Sequence, residues 1–184
     1  GEPVTVTAPV RGEQVTAQIW RVDVGRVPLF LLDADRPENS DAARWITSKL
    51  YISDEDMRLA QYVLLGIGGV QALSALGIEP GIVHLNEGHA GFVVLQRIRE
   101  FVDQGLSFDD ALEEVRRSTV FTTHTPVAAG HDTFPFHLVE KHLAGCWGTL
   151  GPNRARFLAL GPHDSGAGQQ FNMTALALRS AGKI

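Results

Sequence analysis

The sequence predicts an α/β domain built on a parallel sheet with helices on both faces. Three observations lead there. Short β-branched runs alternate with segments of helical periodicity from about residue 56 onward. The two loops richest in chemistry-bearing side chains follow directly on short apolar strands. Composition is that of an ordinary globular chain, with 184 residues, 44% of them hydrophobic and 20% charged, enough for one domain with a real core.

The elements follow in order. Val4–Thr7 and Val15–Val22 are β-branched and alternate in character, with Arg11-Gly12 between them, which reads as a hairpin. Val27–Asp33 is a continuous apolar run of the kind found in buried strands. Residues 34–56 are polar, with Pro37, Asn39 and Ser40, and predict a long connection holding one short helix. From Asp56 to Leu76 the apolar positions Leu59, Val63, Ile67, Val70 and Leu73 recur every three or four residues, and Gly77 supplies a stop. Ile82–Asn86 predicts a short strand, and Val93, Val94, Ile98 and Phe101 the helix after it, ending at Gly105. Ser107-Phe108-Asp109-Asp110 has the form of a capping box and opens a helix to Arg117. Thr119–Thr123 predicts a strand, Leu138, Val139 and Leu143 a helix, Arg154–Gly168 a loop and Phe171–Leu178 a last helix. Helix, strand, helix, helix, strand, helix in this order argues for a parallel sheet covered on both faces.

Several function classes are excluded early. Net charge is −5, with both signs interspersed, so no basic stripe exists to track nucleic acid. No run of about 18 apolar residues is present to span a membrane, and Gly1-Glu2-Pro3 does not open a signal peptide. Cys146 is the single cysteine, which rules out an intrachain disulfide and fits a reducing compartment, as it also fits many exported proteins; the expected setting is cytoplasmic. The chain opens straight into a strand pattern and stops at Ser180–Ile184 just after an apolar helical run, so it reads as a piece of a longer polypeptide.

Two segments could carry chemistry: His84-Leu85-Asn86-Glu87-Gly88-His89, and Thr122-Thr123-His124-Thr125-Pro126 continuing to Gly130-His131-Asp132. Loops at the carboxyl ends of strands in one sheet can line one cleft, and a helix starting near His89 would aim free N–H groups into it. The plainer reading is that Asn86 and Glu87 only start a helix and the loops only connect. A metal centre is disfavoured. His84 and His89 are five apart, with the first in a strand, and His131, His137 and His142 are spaced six and five along a helix, so they share no face. The glycines of Leu65-Gly66-Ile67-Gly68-Gly69-Val70 do not follow a strand, so they predict close packing against a sheet rather than a phosphate loop. No Gly-x-Ser-x-Gly elbow appears.

Taken together, Arg58-Leu59-Ala60-Gln61 with Gly66–Val70, His84–Phe92, Phe121–Phe134 and Phe171–Arg179 resemble the α-glucan (glycogen, starch and maltodextrin) phosphorylases, in their shorter bacterial and archaeal form. The resemblance runs from about Val22 onward. It implies a Rossmann-like three-layer domain with a parallel sheet, part of the N-terminal half of a GT-B glycosyltransferase. Residues 1–33 would be a β-rich opening segment and 56–184 alternating helix and strand units, with the C-terminal cofactor domain absent. The implied reaction transfers the terminal glucosyl unit of an α-1,4-glucan to inorganic phosphate, giving glucose 1-phosphate. The implied cofactor is pyridoxal 5′-phosphate, whose phosphate group relays a proton to the substrate phosphate and whose binding lysine lies beyond this chain.

Position by position, His124 matches the family histidine that hydrogen-bonds the 6-hydroxyl of the transferred glucose, and Thr125 stands beside it. Glu87 and His89, next to Asn86, match residues that line the cleft toward the acceptor sugars, and Asp132 matches an acidic position on the same cleft. A neutral sugar offers hydroxyls and apolar faces, which fixed carboxylates and imidazoles can pair with. This chain departs from the family pattern in three places. It has Tyr62 where glutamate is usual, Ile52-Ser53-Asp54 where Gly-Gly-Asp is usual near the gating loop, and Ala128 in place of proline. The alternatives are a glycogen synthase-like transferase using a sugar nucleotide, a non-catalytic carbohydrate-binding module, or a structural fragment whose open sheet edge favours self-association. Trp20, Trp45 and Trp147 are scattered, which argues against an aromatic binding platform.

Overall fold

The computed structural model describes residues 2–50, 52–126, 131–164 and 168–184. Its first three strands form an antiparallel meander. β1 (Thr5–Val10) pairs with β2 (Glu13–Val24), and β2 with β3 (Val27–Asp33). Arg11 and Gly12 both take positive φ, 54° and 79°, as the two-residue turn matched to strand twist requires. The expected hairpin is present.

β3 corrects the sequence reading. It is not a buried strand, since Val27, Leu29 and Leu31 are between 46% and 59% exposed. Gly25, at φ 62°, closes a second two-residue loop, so the apolar run folds straight back on β2. Buried in the meander are Val6, Ala8, Pro9, Val10, Val15 and Ala17.

The short helix of the long connection is α1 (Asp41–Arg44). The periodic stretch after it forms α2 (Glu55–Val63), a π-helical turn (Leu64–Gly68) and α3 (Gly69–Ala75), with Asp54 capping the start. The glycines explain the turn. A Cβ on Gly66 would lie 2.7 Å from the Phe92 backbone carbon, and one on Gly68 would lie 3.3 Å from Leu32 of β3. Only Gly68 therefore approaches a sheet, while Gly66 meets the start of the next long helix. Gly69 faces open space.

β4 (Val83–Asn86) and β5 (Thr119–Thr122) pair in parallel, joined through a 3₁₀ turn (Gly88–Ala90), α4 (Val93–Asp103) and α5 (Phe108–Arg117). Ser107 caps α5 as its box predicts, accepting from the Asp110 N–H. Lys183 adds one parallel bridge to Val120. The third sheet is antiparallel, in the order β6 (Thr133–Phe134), β8 (Gln169–Asn172), β7 (Pro162–Asp164). The chain is thus α/β with a small parallel sheet. Among the described residues that parallel part is two strands and a bridge, beside two antiparallel sheets, rather than a sheet of alternating units.

Two further segments differ from expectation. Residues 154–168 are not all loop: α7 (Arg154–Leu158) follows a 3₁₀ turn (Gly148–Asn153), and β7 comes next. The last helix, α8 (Met173–Ser180), starts two residues late because Phe171 pairs with Phe134 across the third sheet and Asn172 caps the helix at Ala175 N. His131 also precedes α6 (Phe136–His142) instead of lying on it. No helix is long and apolar enough to cross a membrane among the described residues.

One polar cluster joins the meander to the helices. Asp56, at the start of α2, takes Arg11 at 3.1 Å, Lys141 at 2.9 Å and the fully buried His142 at 3.0 Å. The Arg11 N–H also donates to the His142 carbonyl. Burial pushes the His142 imidazole below its ordinary 6.5, more than the hydrogen bond to Asp56 raises it.

Two predictions follow from this packing. Gly66→Ala forces a contact with fixed backbone and lowers unfolding free energy by about 1–3 kcal/mol, whereas Gly69→Ala, in open space, raises it by about 0.5–1 kcal/mol; urea titration of each variant reads both signs. The neutral His142 contributes stability that is complete above its ordinary value of 6.5 and is lost as pH falls from there toward the lower folded value. The unfolding midpoint therefore drops between neutral and mildly acid pH, and His142→Phe flattens that slope. An unchanged slope in the variant would assign the acid lability to another group.

Candidate functional site

The site is built at the carboxyl ends of β4 and β5. Their register sets Asn86 opposite Thr122, and the Glu87 N–H extends the ladder by donating to the Thr122 carbonyl at 2.8 Å. The chain then turns sharply, with Glu87 at φ 62° and ψ 176°. A non-glycine residue held there costs roughly 1–3 kcal/mol and persists only when its surroundings fix it. What fixes it is its own carboxylate, which accepts from the His124 N–H at 2.6 Å, the Thr123 hydroxyl at 3.0 Å and the Thr125 hydroxyl at 3.3 Å. The His124 N–H first, and then the two hydroxyls, hold this carboxyl below its ordinary value of 4.5, so it is ionised at neutral pH. His124 is exposed, and its ring is aimed by a 3.0 Å hydrogen bond between Nε2 and Asn86 Oδ1. Of the six residues expected to line one cleft, Asn86, Glu87, His124 and Thr125 are joined in one network.

The turn after Glu87 fits only glycine. A Cβ on Gly88 would lie 2.9 Å from Met173 Cβ, and one on Gly91 would lie 3.0 Å from Met173 Cε. The loop therefore seats against the start of α8, and the Met173 N–H donates to the Asp132 carbonyl at 3.0 Å. This places His89 beside Asp132 in a second cluster. Asp132 Oδ2 accepts from the Tyr62 hydroxyl at 2.5 Å, Arg58 meets Oδ1 at 3.1 Å, and His89 Nε2 stands 3.7 Å from Oδ2. Tyr62 stacks obliquely on His89 with centroids 5.2 Å apart. Burial and then the Asp132 hydrogen bond push the Tyr62 phenol far above its ordinary value, so it remains a donor.

Arg58, Tyr62 and Thr123 were not named as site residues from the sequence. The signal for the first two was available: four residues apart on a helix they share a face, but nothing local announces that this face meets residue 132.

The two clusters do not share one lining. An open cleft of about 1770 Å³ has His89, Asp132, Arg58 and Tyr62 in its wall, with His84 and Leu31 farther along, whereas Asn86, Glu87, His124 and Thr125 are not among its lining residues. No group of three potential metal ligands exists among the described residues, and His84 instead bonds Thr122 at 2.8 Å. The lysines do not fit a Schiff-base site, which needs a desolvated amine. Lys141 is ion-paired to Asp56 and 57% exposed, and Lys49 and Lys183 are exposed. Ala128 and Gly130 lie outside the described residues.

No family profile matches the chain. Individual proteins do. It is 46% identical to a maltodextrin phosphorylase of Thermococcus litoralis over 100% of its own length and 21% of that protein. It is 47% identical to a glycogen phosphorylase of Mycobacterium tuberculosis over 98% of its length and 22% of that protein. A glycogen phosphorylase of Aquifex aeolicus is 40% identical over 94% of the chain and 25% of that protein. The chain matches a segment of the glycogen and maltodextrin phosphorylases. It spans between about a fifth and a quarter of the length of these relatives, and both clusters fall inside the phosphorylase-like stretch.

Because Glu87 is the acceptor for three donors, Glu87→Gln removes the negative charge that they share and turns one of its two acceptor oxygens into an N–H₂ donor. The His124 amide then exchanges with solvent about tenfold faster or more, the scale of losing a charge-assisted hydrogen bond. In the unsubstituted chain the tie is intact above pH 4.5 and loosens as pH falls below it. Unaltered exchange in the variant would mean that the carboxylate does not hold the loop.

Proposed function

We propose that this chain is part of the N-terminal half of a full-length α-1,4-glucan phosphorylase of GT-B architecture, with the Rossmann-like three-layer sheet completed by other parts of the polypeptide. The enzyme transfers the terminal glucosyl unit of glycogen or maltodextrin to inorganic phosphate, giving glucose 1-phosphate. The observation that carries this reading is the match over nearly the whole chain, at 40% to 47% identity, to proteins named as phosphorylases.

The geometry supports a division of labour. His124, aimed by Asn86, is the exposed group that can exchange a hydrogen bond with a hydroxyl of the reacting glucose. Thr125 is engaged with Glu87 and supports that position. Glu87 contributes mainly by tying the two loops together, because three of the roughly four lone-pair positions of a carboxylate already have protein donors. His89 and Asp132 in the cleft wall suit the acceptor sugars. Pyridoxal 5′-phosphate is assigned to a lysine elsewhere in the polypeptide, and no step is ascribed to it here. The reading involves no nucleic acid and no membrane, and the setting is cytoplasmic. In isolation the chain releases no glucose 1-phosphate and self-associates through its exposed β2–β3 residues.

Kinetics of the full-length polypeptide test the assignment. His124→Ala lowers kcat/KM by about 2–4 kcal/mol, the size of one hydrogen bond to a reacting group. His89→Ala raises KM for the glucan more than it lowers kcat, increasingly so with longer oligosaccharides. Normal turnover by folded His124→Ala enzyme, or no glucose 1-phosphate from unsubstituted enzyme with maltodextrin and phosphate, would overturn the proposal.

A further inference from the structure

α2 carries Arg58 and Tyr62 one turn apart, and both reach the same carboxylate. The Tyr62 hydroxyl donates to Asp132 Oδ2 at 2.5 Å and Arg58 Nη1 meets Oδ1 at 3.1 Å. Tyr62 is 7% exposed. Its ring lies 6.0 Å edge-on from the buried Phe134 and 5.2 Å from His89, which leaves the phenol little room to swing. One oxygen of Asp132 is thus fixed by a neutral donor and the other by a charged one.

Each oxygen still has acceptor capacity, since a carboxylate has roughly four lone-pair positions. The His89 Nε2 to Oδ2 separation of 3.7 Å is too long for a direct hydrogen bond. The imidazole and the carboxylate therefore stand side by side in the cleft wall, within ion-pair distance but not hydrogen-bonded to each other, as a donor and acceptor for one ligand. Where the resembled family usually has glutamate, a second carboxylate would face Asp132. Tyr62 replaces that charge with an O–H donor.

We propose that Tyr62 is a positioning residue for carbohydrate recognition in this chain: its hydroxyl locks the Asp132 carboxylate beside His89, so that the pair receives adjacent hydroxyls of a glucan residue. This rests on the sugar-cleft reading of the proposed function. It adds a residue that no resemblance assigns and a reason for its hydroxyl. Without that donor, the Asp132 carboxylate is held by Arg58 alone and is free to turn toward His89, closing the gap that the ligand needs.

The test uses the full-length polypeptide with Tyr62→Phe, which keeps the ring and removes one oxygen. Calorimetry with maltoheptaose, and KM for it in phosphorolysis, should both rise roughly 3- to 10-fold, the scale of one hydrogen bond, with a smaller fall in kcat. In an Asp132→Ala background the same change should add nothing, because the acceptor of the Tyr62 hydroxyl is already gone. A purely structural phenol would lower the melting temperature and leave Kd of the folded fraction unchanged; that result, or additive losses in the double variant, overturns the inference. If the unsubstituted polypeptide binds maltoheptaose yet forms no glucose 1-phosphate, the reaction assignment fails and the Kd series still decides the role of Tyr62. A polypeptide that binds no maltoheptaose overturns both.

Discussion

Glu87 closes the carboxyl ends of two parallel strands by bending against its own preference. Its backbone sits at φ 62°, where a β-carbon is crowded, and three donors from the neighbouring strand end converge on its side chain. Without those donors the strained turn has no reason to persist. With them, the 122–125 loop is drawn across the end of β4, and Asn86 comes within reach of the His124 ring. The same turn sends Gly88 and Gly91 into contact with Met173, which sets His89 next to Asp132. A single ionised carboxylate thereby orders both polar clusters.

The frame beneath the site depends on equally close approaches. The π-helical turn admits Phe92 against Gly66 and the meander against Gly68, so α2 and α3 can lie tightly between the first sheet and α4. Asp56 then anchors the N-terminal end of α2 to Arg11 and to the end of α6. Because α2 is held at both ends, the face bearing Arg58 and Tyr62 is rigid enough to hold Asp132, 70 residues away. Core packing and the hold on Asp132 share one helix.

Local chemistry was readable in the sequence, and pairing partners were not. The Arg11-Gly12 turn, the Ser107 cap and the strands expected to end at Asn86 and Thr123 each depend on a few adjacent residues, and all are present, the second strand ending one residue earlier at Thr122. β3 misled because an apolar run signals a strand without saying what covers it, and a two-residue loop at Gly25 made the nearest neighbour its partner. Phe171 and Asn172 fit a helix by periodicity, yet pairing with β6 drew them into a strand. The parallel sheet was over-read because strand order alone does not say which strands become neighbours. The six site candidates were legible because they lie at or beyond the ends of apolar strands, but their division into two clusters was not, since it depends on where the loops turn. The Tyr62–Asp132 contact was not, since no periodicity links positions so far apart.

The most direct measurement is a crystal structure of the full-length polypeptide with a maltooligosaccharide bound. The account predicts a sugar hydroxyl within hydrogen-bond distance of the His124 ring, and a further glucose residue on Asp132 and His89, with the Glu87 carboxylate still holding the His124 N–H. An oligosaccharide bound elsewhere, with His124 and Asp132 touching only their present protein partners, would contradict it.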